Sequence, residues 1–259
     1  MASDPFVTNV VKEALSRGES VVGTMVCELR SIAVPRMLAR GGLQFVIFDA
    51  EHGVFTTESI AELAAVSRMA GITPIVRVPE LRKETISRTL DMGAQGILVP
   101  QVRSADEVRE VTRWAKYSPL GERGVALGRV HTDYLKGDAA TWMARLNVNT
   151  LVIIQIETAE AVERLDAIAS VPGVDALFIG PNDLANSLGL PGKTDHPRVT
   201  EVFEHVIAVA RRRGIAAGIH LFDLEAAKFW KSKGIRFITL SNEITMIVES
   251  ARAISQGVA

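Results

Sequence analysis

The sequence alternates between two kinds of segment along its whole length. Short runs rich in Val, Ile, Leu and Phe recur roughly every 25 to 30 residues, as strands separated by helices would. Each run is followed by a stretch with helical spacing; in 57–69, for example, Ile60 and Leu63 share one face, and Gly71 supplies a stop. The predicted strands are Val21–Cys27, Phe45–Asp49, Thr73–Val78, Gly96–Pro100, Thr150–Glu157, Ala176–Gly180, Ala216–His220 and Phe237–Leu240.

This alternation predicts an α/β fold. The run 151–156 is nearly continuous in apolar residues, which is typical of parallel strands buried on both faces. Eight strand–helix units favour a closed (β/α)₈ barrel, the TIM barrel, over an open sheet. At 259 residues the chain has the usual length of one such barrel, and no linker rich in Pro, Gly or Ser divides it. We therefore expect a single barrel domain over residues 1–259.

Charge and cysteine content exclude several classes of protein. Lys and Arg number 29 against 30 Asp and Glu, so no overall positive field exists to hold nucleic acid. No apolar run approaches the roughly 20 residues of a membrane span. The single cysteine, Cys27, forms neither an internal disulfide nor a thiolate zinc site. The first residues lack the order of a secretory signal, so we expect a cytoplasmic protein with neither nucleic acid nor membrane as a partner.

Polar residues follow several of the predicted strands. In a (β/α)₈ barrel the active site lies at the carboxyl ends of the strands, so these residues are candidates for chemistry. The polar strand ends are Asp49-Ala50-Glu51-His52-Gly53, Arg77, Gln155 to Glu157, Gly180-Pro181-Asn182-Asp183 and His220. The long connection from Ala115 to about Ala139 is either a wall of this site or a mobile surface excursion.

Glu157 and Asp183 are candidate metal ligands. Each follows a strongly apolar strand, where an unpaired carboxylate is costly unless a cation lies opposite. Two carboxylates on neighbouring strands, completed by water and substrate, suit an octahedral cation such as Mg²⁺ or Mn²⁺. The alternative is that each carboxylate caps the helix that follows it.

His52 is a candidate general base, because its ordinary pKa of about 6.5 suits proton transfer near neutral pH. A carboxylate would orient it, and both Asp49 and Asp91 are candidates for that role. The alternative is a surface or capping histidine.

Arg77 interrupts an apolar strand and requires an anion, which is either a structural carboxylate or a substrate carboxylate or enolate. None of the eight lysines lies in a predicted strand or at its carboxyl end, which disfavours a Schiff-base mechanism.

The motifs D-x-E-H-G, V-R-V, Q-x-E and G-P-x-D-L occur in this order at residues 49–53, 76–78, 155–157 and 180–184. Together they resemble the HpcH/HpaI aldolase family, the metal-dependent (class II) pyruvate aldolases. The resemblance implies a (β/α)₈ barrel, commonly assembled into hexamers by exchange of C-terminal helices. The apolar tail Ile244–Ile254 is the corresponding segment here.

The resemblance also implies roles for the candidate residues. Glu157 and Asp183 would bind a divalent metal, Mg²⁺ or alternatively Mn²⁺ or Co²⁺, which chelates pyruvate. Arg77 would hold the keto oxygen and stabilise the enolate, and His52 would act as the base. Asp49 and Asp91 would orient His52, and Gln155 and Gly180 would belong to the pyruvate pocket. Two further positions differ from most relatives: Asn182 stands where a small residue is common, and His220 stands where an apolar residue near the aldehyde is common.

The implied activity is that of a class II pyruvate aldolase, a carbon–carbon lyase (EC 4.1.2.-). It would cleave a 4-hydroxy-2-oxo acid to pyruvate and an aldehyde through a pyruvate enolate. Two alternatives stay open on the sequence. One is related enolate chemistry, such as oxaloacetate decarboxylation or citrate-lyase-like cleavage. The other is a non-catalytic barrel that binds a metal and a keto acid.

Overall fold

The computed structural model describes residues 7–258, and its centre is a closed barrel of eight parallel strands. Each strand pairs with the next, and the last pairs with the first. The strands are β1 (Val21–Val26), β2 (Phe45–Asp49), β3 (Thr73–Arg77), β4 (Gly96–Val99), β5 (Leu151–Ile156), β6 (Ala176–Ile179), β7 (Ala216–Leu221) and β8 (Phe237–Asn242). All the predicted strands form, with no end shifted by more than two residues, and the (β/α)₈ class is confirmed.

Helices surround the barrel and join successive strands. They are α1 (Val10–Ser16), α2 (Ala33–Arg40), α3 (Thr57–Ala70), α4 (Lys83–Asp91), α5 (Ala105–Ala115), α6 (Ala139–Asn149), α7 (Ala159–Glu163), α8 (Leu165–Ala169), α9 (Pro181–Ser187), α10 (Pro197–Arg213), α11 (Leu224–Lys233) and α12 (Glu243–Val258). The helix predicted over 57–69 is α3: Thr56 and Ser59 form a capping box at its start, and Gly71 ends it with a left-handed φ of 74°. None of the helices within 7–258 is long and apolar enough to cross a membrane.

Side chains pointing into the barrel form a core of their own below the site. The rings of Phe45 and Phe237 stack with centroids 4.3 Å apart, and Phe178 meets Phe237 edge-on at 5.7 Å. Glycine makes room for them, since a Cβ on Gly218 would lie only 2.8 Å from the Phe237 ring. Apolar residues of α1 join this cluster and close the barrel at the amino ends of the strands.

Strand alternation turns this apolar interior into a polar layer at the carboxyl ends. Successive side chains of a strand point to opposite faces, so a residue two positions beyond an inward-facing residue also points inward. Ile47, Ile75 and Ile153 belong to the interior cluster. The residues two positions beyond them are Asp49, Arg77 and Gln155, and His220 similarly lies two positions beyond Gly218. These polar side chains are therefore directed toward the mouth of the barrel.

The long connection after α5 lies at the other end of the barrel, so its prediction as a site wall is wrong within this chain. The helix α5 first carries the chain from the carboxyl end of β4 down to the amino ends of the strands. The backbone N–H of Tyr117 then donates to Asn147 Oδ1 at 2.7 Å, in the last turn before β5. Arg123 of the same connection binds Asp91 at 2.6 Å at the end of α4. The connection is thus tied to the end of the barrel remote from the polar layer.

The C-terminal helix α12 leaves its apolar side chains uncovered. Of its residues only Glu243 is buried. Large apolar residues such as Ile247 and Val248 are about half exposed, at 54% and 48%. A helix with this much uncovered apolar surface usually packs against another surface.

Candidate active site

A cavity of about 230 Å³ opens at the carboxyl ends of the strands. Its walls include most of the residues singled out from the sequence. The predicted residues that line it are Asp49, His52, Arg77, Gln155, Gly180, Asn182, Asp183 and His220. Glu157 lies against it, within contact distance of the Gly180 position. Of the predicted site residues only Asp91 lies away from this cavity.

Arg77 and Asp49 form a buried, two-point ion pair on one side of the cavity. Arg77 Nε donates to Asp49 Oδ1 at 2.8 Å, and Nη2 donates to Oδ2 at 2.6 Å. Burial opposes ionisation of Asp49, but the hydrogen bonds and charge of Arg77 outweigh it and lower the pKa of that carboxyl. The structural-carboxylate interpretation of Arg77 is therefore satisfied by Asp49. Its third nitrogen, Nη1, has no hydrogen bond to residues 7–258.

Asp49 contacts the backbone of His52 and not its imidazole ring. Asp49 Oδ1 accepts from the backbone N–H groups of Glu51 at 3.1 Å and His52 at 3.3 Å. The imidazole is 66% exposed, and its Nε2 lies 3.7 Å from Glu51 Oε2. Asp49 therefore shapes the turn that carries His52, while Glu51 is the carboxylate that faces the ring. Asp49 makes no hydrogen bond to the ring within residues 7–258, and its role as an orienter of His52 stays a prediction.

Asp91, the second predicted orienter, does not contact His52 within the chain, and its role stays a prediction. It ends α4, which runs antiparallel to the strands and so ends beside their amino termini. There Asp91 Oδ1 accepts from Arg123 Nε at 3.0 Å and Nη2 at 2.6 Å, and the Asp91 carbonyl lies 3.1 Å from His131 Nδ1. The physical reason is directional: a residue at the end of a helix and one at the end of a strand occupy opposite ends of a parallel barrel.

Glu157 is an almost fully buried carboxylate without a cationic partner. Its exposure is 1%, and no Lys or Arg of residues 7–258 forms an ion pair with it. Oε1 accepts from the backbone N–H of Gln101 at 2.7 Å, and Oε2 accepts from Gln155 Nε2. Burial, with the charges of Asp183 and Glu51 adding to it, raises the pKa of Glu157 to about 7. A cation placed next to such a buried carboxyl group would stabilise its ionised form.

Asp183 and Gly180 complete this side of the cavity. Asp183 lies exposed in the first turn of α9, close enough to influence Glu157. A Cβ on Gly180 would stand 2.7 Å from Glu157 Oε2 and 2.8 Å from Gln155 Nε2, so a side chain here would displace both groups. The capping alternative is not supported, because Thr158 caps α7 and α9 has no side-chain cap.

The donor set suits a hard divalent cation. Glu157 and Asp183 supply carboxylate oxygens, and Gln155 Oε1 is a buried acceptor with no hydrogen-bond partner within 7–258. In the same stretch no group of three or more His, Cys, Asp and Glu side chains is arranged as a metal cage. Such a pair of carboxylates leaves most coordination positions to water and substrate, as Mg²⁺ and Mn²⁺ sites commonly do.

Two further cavity residues have shifted pKa values. Burial and the nearby Arg77 lower the pKa of His220 to about 4, so its imidazole is neutral, and its Nδ1 has no partner in the described chain. Burial, together with the charges of Asp49 and Glu243, raises the pKa of the Cys27 thiol to about 12. Cys27 is therefore not a thiolate nucleophile at neutral pH. No lysine lines the cavity among the described residues.

Sequence reasoning missed three residues that organise the site. Gln101 adopts a left-handed backbone with φ of 56° and donates to Glu157. Glu51 contacts Arg77 at 3.3 Å as well as His52. Glu243 accepts from the backbone N–H groups of the three consecutive residues 27, 28 and 29. Only Glu51 could have been recognised as a site residue from the sequence, because it lies within the motif at 49–53. The contacts of Gln101 and Glu243 depend on the geometry of loops.

The barrel and its polar layer define the class of the protein: a (β/α)₈-barrel enzyme with its site at the carboxyl ends of the strands. The family is defined by comparison with known proteins. The family model "HpcH/HpaI aldolase/citrate lyase" matches residues 30–250. The chain belongs to this family, as the motifs of its strand ends predicted.

Similar proteins cover nearly the whole chain. A hydroxypyruvate/pyruvate aldolase of Roseovarius nubinhibens is 33% identical over 248 residues, 96% of each chain. A 2-keto-3-deoxy-L-rhamnonate aldolase of Salmonella gallinarum is 33% identical over 246 residues, 95% of this chain and 91% of that protein. The crystal structure of an HpcH/HpaI aldolase from Desulfitobacterium hafniense DCB-2 superposes with a TM-score of 0.91 at 37% identity, over 95% of both chains.

Proposed function

We propose that this protein is a divalent-metal-dependent pyruvate aldolase that cleaves a 4-hydroxy-2-oxo acid to pyruvate and an aldehyde. The observation that carries the proposal is Glu157, a buried carboxylate that forms no ion pair within residues 7–258 and lies against a cavity lined by Asp183 and Arg77. Mg²⁺ is the cation we propose, with Mn²⁺ and Co²⁺ as alternatives. The relatives named as aldolases support the reaction class.

Glu157 and Asp183 would hold the cation, which supplies Lewis-acid polarisation of the 2-oxo group. Gln155 keeps Glu157 in place through its amide N–H and offers its own Oε1 to the same region. Gly180 lets the substrate approach these groups closely, since any side chain there would collide with Glu157. Together these residues would bind the oxo-acid end of the substrate.

Arg77 would stabilise the negative charge that develops on the substrate. Asp49 already holds its Nε and Nη2, so Nη1 would face the substrate in a fixed position. The arginine side chain then loses no further conformational freedom during the reaction. A preorganised cation facing a developing oxyanion is the most effective form of electrostatic catalysis. Asp49 thereby acts through Arg77 and the His52 turn.

His52 would act as the general base, with Glu51 as the neighbouring carboxylate. It would take the proton of the C4 hydroxyl; the C4–O bond becomes the carbonyl of the aldehyde, and the C3–C4 bond breaks. The electron pair of that bond forms the enolate of pyruvate, and a proton delivered to C3 then yields pyruvate. A binding protein for metal and keto acid would need neither a base at the mouth nor a preorganised arginine, which favours the catalytic function.

The test is pyruvate release from 4-hydroxy-2-oxo acids, detected by a coupled lactate dehydrogenase assay. We expect EDTA to abolish release and Mg²⁺, Mn²⁺ or Co²⁺ to restore it. His52→Ala should lose cleavage while His205→Ala, a matched exposed histidine on α10, keeps it. Full activity in EDTA, combined with borohydride trapping of substrate on the protein, would overturn the proposal.

We also propose that the protein is a homo-oligomer in the cytoplasm. The uncovered apolar face of α12 supports association, and the family resemblance favours a hexamer with exchanged C-terminal helices. A lone cysteine is typical of a reducing compartment. Light scattering of the full chain and of a variant with charged residues at Ile247 and Val248 tests the oligomer.

A further inference from the structure

A second cavity adjoins the first one on the side of His220. Its volume is about 440 Å³, and its walls come from the loop after α9, from α10 and from the start of α11. The two cavities share Pro181, Asn182, His220 and Phe222 as wall residues. His220 and Phe222 meet edge-on with ring centroids 4.8 Å apart. A molecule that extends beyond the reaction site past these two rings would enter the second cavity.

The second cavity is mostly apolar. Phe203 and Trp230 are buried and meet edge-on at 5.1 Å, and Phe229 adds a half-exposed ring. Thr194 and Thr200 contribute hydroxyl groups at its walls. Apolar and aromatic walls with a few polar groups are typical of pockets that bind small organic molecules.

The charged groups of this cavity all have one sign. Asp195 and Asp223 line it, while no Lys or Arg does among the residues that the structure describes. Asp223 also caps α11, its Oδ1 accepting from the N–H of Ala226 at 2.7 Å. A carboxylate placed here would lose water and face like charge without a cation, which disfavours its binding.

We propose that this second cavity binds the aldehyde half of the substrate and selects an uncharged, mainly apolar chain over one that ends in a carboxylate. The inference rests on the proposed aldolase function and deepens it. The reaction site would hold the oxo-acid half between Arg77 and Glu157. The chain beyond C4 would pass His220 and lie against Phe229 and Trp230.

The first test compares two 4-hydroxy-2-oxo acids with chains of equal length, one ending in a methyl group and the other in a carboxylate. We expect kcat/KM to be about 10-fold or more higher for the methyl-ended substrate, as apolar pockets discriminate on this scale. Equal or higher kcat/KM for the carboxylate-ended substrate would overturn the inference.

The second test changes the cavity without touching the reaction site. Phe229→Ala should reduce the preference for the methyl-ended substrate, and Thr200→Arg should shift the preference toward the carboxylate. Leu224→Ala and His205→Arg are the matched controls, because both positions are exposed and neither lines the cavity. An unchanged preference in both cavity variants would also overturn the inference.

Exchange of the methyl protons of pyruvate with D₂O, followed by NMR without any aldehyde, separates the two proposals. Exchange reports enolate formation in the first cavity and does not require the second. We expect exchange to persist in all four variants. If the parent protein exchanges the protons but shows no preference for the methyl-ended substrate, only the assignment of the second cavity is refuted. If the parent protein shows neither exchange nor cleavage, the aldolase proposal is refuted and the inference with it.

Discussion

Removing the carboxylate of Glu243 should both destabilise the protein and slow the reaction. Glu243 begins α12, is 4% exposed and makes four hydrogen bonds of 2.6 to 3.1 Å to the backbone N–H groups of Cys27, Glu28 and Leu29. These residues form the loop after β1 and border the cavity through Cys27. The carbonyl of Cys27 in turn accepts from the N–H of Val54 at 3.0 Å, next to the turn that carries the proposed base.

The size of the effect follows from the exposure of these N–H donors. A hydrogen bond to a charged group contributes about 1.5 to 3 kcal/mol, and an unsatisfied buried donor costs about as much. In Glu243→Ala, water can reach the amides of the exposed residues Glu28 and Leu29. It reaches the amide of half-buried Cys27 less readily. We therefore expect a loss of about 2 to 4 kcal/mol, which for a chain of this size corresponds to a fall in Tm of about 4 to 8 °C.

The same substitution should lower kcat, because a displaced turn misplaces the base; an error of about 1 Å costs up to about 100-fold. The assays are thermal denaturation followed by circular dichroism, and pyruvate release below the melting transition. Glu243→Gln should be intermediate, since it keeps an acceptor and loses the charge, and Glu28→Ala is the exposed control. A Glu243→Ala protein with the parental Tm and the parental kcat would refute this reasoning.

Three other predictions concern the cavity itself. Arg77→Lys should lower kcat about 100-fold or more in the pyruvate-release assay, because an ammonium cannot keep the two-point contact with Asp49 and also face the substrate; a kcat within about threefold of the parent contradicts this. Gly180→Ala should abolish activity with an unchanged circular dichroism spectrum, because its Cβ would collide with Glu157, and normal turnover would show that the close approach is unnecessary. Without metal the pKa of Glu157 is about 7 in the folded protein against 4.5 as its ordinary value, so its carboxyl favours folding most at low pH and that contribution is lost as pH rises through 7. The shift corresponds to about 3 kcal/mol of pH-dependent folding free energy. Glu157→Gln should lack this contribution when the free energy of unfolding is measured against pH in EDTA. The same pH dependence in the variant and the parent would contradict the raised pKa of Glu157.

Prediction from sequence succeeded where local pattern and barrel geometry decide together. Strand periodicity identified all eight strands, and the rule that sites lie at their carboxyl ends singled out Arg77, Gln155 and Glu157 before any coordinates. Asp91 lies away from the polar layer within the chain, because motif order carries no information about the direction of a helix relative to the neighbouring strand. The 115–139 connection lies at the opposite end of the barrel for the same reason, as α5 takes the chain there first.

The sequence by itself determined the barrel, through a strand–helix pattern that repeats along the chain. It also indicated the family and most polar residues at the barrel mouth, through motifs that lie at the strand ends. The tertiary structure alone decided which of those residues pair. Arg77 binds Asp49, His52 faces Glu51, and Glu157 forms no ion pair among the described residues. These pairings depend on register between strands and on the path of each loop. Distances of a few ångströms between residues far apart in sequence are set by packing, and no local pattern encodes them.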